Sequence, residues 1–178
     1  MMMERLTVLA FGAACFLAFT WAMLGHFRSD GPMPLGMRVI GATSLGGMAV
    51  FTWSVCTEQL SQAWPVTPIL SAASLASFAW AVRATRNAGF AFAFAATKPS
   101  VLVVSGPFHY VRHPFYASYL TFWFATCFAT MSSACWVGPL ILSACYILAA
   151  RREEHLMARS DLGADYASYA SRTGMFVP

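Results

Sequence analysis

The sequence predicts an all-α, polytopic membrane protein of about five transmembrane helices with a C-terminal helical hairpin, and three observations lead there. Of 178 residues, 58% are hydrophobic and only 10% are charged, with a mean hydropathy of +0.60. That leaves too little polar surface to clothe a soluble globule of this size. Several apolar stretches approach the roughly 20 residues needed to cross a hydrocarbon core about 30 Å thick. Finally, the basic residues sit at the ends of those stretches rather than on one face, so the net charge of +4 reports topology and not a nucleic-acid partner.

The first span is expected over Leu6 to Leu24. The charged start Glu4-Arg5 resembles the head of a secretory signal, but the length of the stretch and the lack of a small-residue cleavage site favour a retained helix. Further spans follow over Met37 to Cys56 and Pro65 to Val82. Phe115 to Thr130 and Cys135 to Ala150 are shorter and are joined only by Met131 to Ala134, so they read as a hairpin. Positive charge collects at Arg28 and Arg38, at Arg83, Arg86, Lys98 and Arg112, and at Arg151, Arg152 and Arg159. These clusters predict cytoplasmic ends, an outside N-terminus and a cytoplasmic C-terminus, with Arg5 dissenting. The five cysteines fall in or beside apolar stretches without metal-ligand spacing, so neither a disulfide framework nor a metal site is expected.

Two cytoplasmic pieces remain, a connection from Arg83 to Pro114 and a tail from Arg151 to Pro178, and chemistry needing a water-soluble cofactor belongs there. The connection ends in Gly106-Pro107-Phe108-His109-Tyr110-Val111-Arg112-His113-Pro114-Phe115-Tyr116, a turn followed by a helix start. Pro114 suits the first helical position and biases His113 towards an extended conformation. The segment presents Arg112, His113 and Tyr116 at a helix N-terminus, an end that favours anions. A simpler reading makes Arg112 and His113 positive-inside residues and Tyr116 part of an aromatic belt.

The tail opens with Arg151-Arg152-Glu153-Glu154, continuous with the last apolar stretch. Paired carboxylates there gain nothing from a helix C-terminus, which points to a cationic partner. Arg151 and Arg152 are one candidate pair of partners, a bound ligand the other. Further on, Tyr166 and Tyr169 are three apart and share one side of a helix.

Together, Gly106-Pro107-Phe108, Arg112-His113-Pro114-Phe115-Tyr116, Glu153-Glu154, Leu162-Gly163 with Tyr166, Tyr169 and Arg172, and the terminal Phe176-Val177-Pro178 resemble the isoprenylcysteine carboxyl methyltransferases and phospholipid methyltransferases, a superfamily of integral membrane enzymes. The resemblance covers Leu102 to Pro178 and divides a single membrane domain, 1–178, into N-terminal helices over 1–83 and a methyltransferase core over 84–178. It implies a cytoplasmic S-adenosylmethionine site and a lipophilic approach from the bilayer for a lipophilic methyl acceptor, with membrane lipids as partners and no metal or nucleic acid. The cofactor-binding positions it implies are Gly106, Pro107, His113, Pro114, Tyr116, Glu153 and Glu154; the arginines near the reacting group are Arg112 and Arg172. A carboxylate can meet the cofactor's ammonium, His113 its carboxylate, and Tyr116 or Phe108 its adenine, with Tyr110 behind them.

Ser118 stands where relatives often carry glycine and is expected to tighten the pocket, and Met175 also departs from the pattern. The activity implied is most like protein-S-isoprenylcysteine carboxyl O-methylation, with N-methylation of an aminophospholipid as the alternative. A sterol-type reductase would share Arg-His-Pro but continue differently from Phe115-Tyr116-Ala117-Ser118, and a non-catalytic scaffold would not need the charged set.

Overall fold

The computed structural model describes residues 2–25, 33–86 and 101–178; Arg28 and Lys98 of the topology argument lie outside them. Helices occupy all five expected spans: α1 (Met2–Gly25), α2 (Leu35–Thr57), α3 (Val66–Thr85), α4 (Pro114–Thr130) and α5 (Ser133–Ala158). A 3-10 turn (Gly106–His109) precedes α4, and a short α6 (Gly163–Ala170) follows α5. Among the described residues the only extended pairing is one parallel bridge, Val111 with Gly174.

Four helices, α1, α2, α3 and α5, are long and apolar enough to cross a membrane, and the protein is a multi-pass membrane protein. With 17 residues, α4 is shorter, about 26 Å at 1.5 Å per residue. It is also the central helix, touching α1, α2, α3 and α5. Phe122, Ala125, Cys127 and Ala129 along it are wholly buried, as expected of a helix apolar on all sides.

Small polar residues let α3 and α4 approach closely. Thr67 donates to the Ala125 carbonyl at 2.9 Å and Ser74 to that of Ser118 at 2.7 Å. Ser118 itself donates to the Pro114 carbonyl at 2.8 Å and is 1% exposed. It therefore belongs to this helix interface, and the expectation that it tightens a pocket is corrected: its hydroxyl is spent within its own helix. On α1, Phe19 wedges edge-on against Phe78, Tyr119 and Phe122 at centroid distances of 4.9, 4.7 and 5.6 Å.

The hairpin is tighter than expected, with only Met131 and Ser132 outside the helices. Met131 takes a left-handed conformation, φ 58°, and its N–H returns to the Cys127 carbonyl at 2.9 Å, closing α4. Pro139 within α5 cannot donate to the carbonyl four residues back. That carbonyl, of Cys135, accepts from the Cys127 thiol at 3.3 Å instead.

At the same end, the Arg5 guanidinium donates to the carbonyls of Val55 and, at 2.7 Å, Glu58, closing the C-terminus of α2. Its position against the charge pattern thus has a local cause. Ser61 does the equivalent for α4, donating its N–H to Ala129 at 2.9 Å and its hydroxyl to Phe128 at 2.5 Å.

Candidate active site

At the opposite end, Gly106 starts the 3-10 turn at φ +63° with Ala84 and Trp80 packed over its Cα face. Only glycine enters that conformation without steric cost. Pro107 and Phe108 are thereby buried, and Phe108 packs against Phe115. Pro114 opens α4; His113 before it is non-helical, φ −124° and ψ 64°, and stops short of the extended conformation expected of a residue that precedes proline.

The tail is fastened to this turn by backbone and side chain. The Arg112 and His113 N–H groups donate to Gly174 and Met175 carbonyls at 2.8 and 3.1 Å. Any Cβ at Gly174 would fall 1.7 Å from the Val177 carbonyl oxygen, so the tail turns there only with glycine. Tyr169 of α6 donates its hydroxyl to the Phe108 carbonyl at 2.6 Å. Desolvation pushes that hydroxyl up to about 12, with Arg112 opposing and Glu154 adding, and it remains a donor. Its neighbour Tyr166 is also raised, first by desolvation and then by Glu154.

Arg112 is the hub. Its Nε donates to Glu154 Oε1 at 2.7 Å, and its Nη1 donates to the Ala170 carbonyl at 3.1 Å and to that of Thr173. A guanidinium across the end of α6 complements the negative pole of that helix. His113 Nε2 lies 3.2 Å from the same Glu154 oxygen, and its Nδ1 is 3.6 Å from Glu153 Oε2, beyond hydrogen-bond reach. Tyr116 donates to Glu153 Oε1 at 2.5 Å. The two carboxylates therefore meet groups from α4 and the residues just before it, while Arg151 and Arg152 stand exposed.

The two glutamates differ. Glu154 is sealed between Arg112 and His113 with 20% of its side chain exposed, whereas Glu153 keeps 37% and borders a cavity of about 290 Å³. The cavity is mostly apolar, and one wall is a column of rings. His113 stacks on Tyr116 (5.5 Å, 9°), Tyr116 on Tyr146 (5.1 Å, 18°), and Tyr119 leans on Tyr146 at 5.7 Å. Such faces and a carboxylate suit a cationic group.

Of the residues expected at the site, Arg112, His113, Pro114, Tyr116 and Glu153 line this cavity, with Phe108 beside them, and Glu154 stands directly behind. Gly106 and Pro107 shape the turn without lining it. Arg172 is not brought there: it is exposed, donates to the Ser168 carbonyl at 3.2 Å and borders a different groove with Asp165. Being one residue beyond α6's C-cap turns it outward, while Arg112 takes the inward position.

Tyr119, Trp123 and Tyr146 were not expected. Their signal was spacing: Tyr116, Tyr119 and Trp123 fall at i, i+3 and i+7 of α4, and Tyr146 is seven residues before Glu153 on α5. Among the described residues no cluster of three or more potential metal ligands occurs.

The structure is thus a multi-pass helical bundle with a carboxylate, arginine and histidine cluster over an aromatic cavity at one end. Residues 65–160 match the family model for phospholipid methyltransferases, more than half of the chain, and the chain belongs to that family. The match takes in α3, the turn, α4 and α5 through both glutamates, and leaves α1, α2, α6 and the tail outside. No curated protein matches the chain.

Proposed function

We propose that the protein transfers a methyl group from S-adenosylmethionine to the amine of a membrane lipid headgroup, at a site facing the cytoplasm. One observation carries the choice of an amine. The basic side chains lining the cavity among the described residues, Arg112 and His113, are both turned onto glutamates. A carboxylate acceptor needs a cation to orient it, and an amine needs an acceptor for its proton; the cavity is arranged for the second.

The donor set fits the cofactor. Glu153 would hold its α-ammonium, and the His113 and Tyr116 rings its adenine. When bound, S-adenosylmethionine supplies an electrophilic methyl group. The protein's work is to place the nucleophile about 3 Å away in a dry space and to remove a proton. With Nε2–H donated to Glu154, the His113 Nδ1 lone pair faces Glu153 and the cavity, so His113 is the proton acceptor and Glu154 fixes its tautomer. Apolar walls exclude water.

The test is calorimetric binding of S-adenosylhomocysteine to the purified protein, followed by transfer of labelled methyl from S-adenosylmethionine to phosphatidylethanolamine or to an N-acylated S-prenylcysteine. Binding with label in the ethanolamine lipid is expected. Label in the prenylcysteine alone would overturn the amine reading, and no binding by folded protein would overturn the methyltransferase reading.

A further inference from the structure

The cavity extends away from Glu153, and there its walls come from helices outside the family-matched segment: Phe16, Phe19 and Met23 of α1, and Ile40, Gly41 and Leu45 of α2. Phe16 and Leu45 also line a second, open groove that continues along α2 past Met48, Ala49 and Thr52 to Trp53 and Cys56. The two depressions adjoin at these side chains and together make up an α1–α2 trough. Leu45 is 64% and Trp53 70% exposed, so the trough opens to the lipid. From Gly41 to Cys56 it runs about 22 Å at the helical rise, most of a hydrocarbon core about 30 Å thick.

The two walls differ in stiffness. On α1, Phe19 is held by three edge-on rings. On α2, a Cβ added at Gly41 meets nothing within 4 Å. Gly41 thus lines the cavity with open space beside it, and a large side chain there would occupy that space without displacing a packed neighbour.

Resting on the methyltransferase reading above, we propose that Gly41 is a specificity-determining position. The acceptor's hydrocarbon chain leaves the site past Gly41 and lies in the α1–α2 trough. Its headgroup stays at the depth of Glu153 and its chain points to the bilayer middle, as in a lipid of one leaflet. Chains that end before Gly41 do not feel residue 41; longer ones do.

The experiment compares wild type, Gly41→Ala and Gly41→Leu with lysophosphatidylethanolamine of short or long acyl chain. Gly41→Leu is expected to raise KM for the long-chain acceptor by roughly tenfold or more and to leave the short-chain KM and S-adenosylhomocysteine affinity unchanged, with Gly41→Ala between. A phospholipid brominated in its acyl chain gives a reading without turnover. The quenching lost on Trp123→Phe reports a chain in the cavity, and Gly41→Leu should abolish it. Equal effects on both acceptors, or quenching that survives Gly41→Leu, would overturn the proposal. Failure of wild type to bind S-adenosylhomocysteine would instead overturn the reading on which it rests, since the quenching result is independent of it.

Discussion

Glu153 and Glu154 are neighbours in sequence with different partners: Tyr116 donates to the first at 2.5 Å, and Arg112 to the second at 2.7 Å. One carboxylate borders the cavity and the other braces the turn against the tail, and substitutions should separate the two roles.

Glu153→Gln is expected to weaken S-adenosylhomocysteine binding by about tenfold or more, the loss of one charge-assisted contact, with little change in melting temperature. Calorimetry beside thermal unfolding in the same detergent checks it. A normal affinity would remove Glu153 from the cofactor site.

Glu154→Gln should act first on stability. It leaves the guanidinium of Arg112, 15% exposed, facing a neutral group, at a cost of about 1–3 kcal/mol. A lowered melting temperature, with turnover falling because His113 loses its anchor, is the expected pair of readouts.

Arg112→Lys keeps the charge but not the fork that reaches Glu154 and the end of α6 together. The tail should detach, so limited proteolysis should cut between Ala158 and Pro178 faster than in wild type. An unchanged digestion pattern would show that the backbone bonds to Gly174 and Met175 suffice.

Arg172→Ala should change stability by less than about 0.5 kcal/mol and leave cofactor affinity intact, because the side chain is exposed and turned from the cavity. A large loss of activity would restore the role the sequence pattern implies for it.

Gly106→Ala forces a Cβ into φ +63° and to 3.0 Å from the Ala84 Cβ, costing about 1–2 kcal/mol. The fall in melting temperature should be accompanied by weaker cofactor binding, since this turn seats Phe108 and Arg112.

The spans were legible because a bilayer demands long apolar runs whatever their partners, and the start of α4 because proline and glycine constrain the backbone locally. The Arg112–Glu154 pair was legible only as two separate charges. Nothing in the spacing of Arg151-Arg152-Glu153-Glu154 shows that the partners come from α4 and not from the adjacent arginines. Arg172 illustrates the converse, since a motif position fixes a residue's place in the chain but not the side of the tail to which it turns. Ser118 resembled a pocket residue because the pocket motif is close by; its burial against Ser74 depends on α3, distant in sequence. The contribution of α1 and α2 to the cavity was invisible, because apolar residues facing lipid and apolar residues facing a cavity are chemically alike.

The helix α5 runs unbroken from the hairpin tip to beyond both glutamates, and Glu153 stands about 30 Å from its start at Ser133. It acts as a measuring rod: the proposed site is held at a fixed height above the hairpin tip. A bilayer thicker than this rod would draw Glu153 and His113 below the headgroups, and a thinner one would lift them into water. Turnover should therefore respond to the thickness of the host membrane even where the headgroup offered is unchanged.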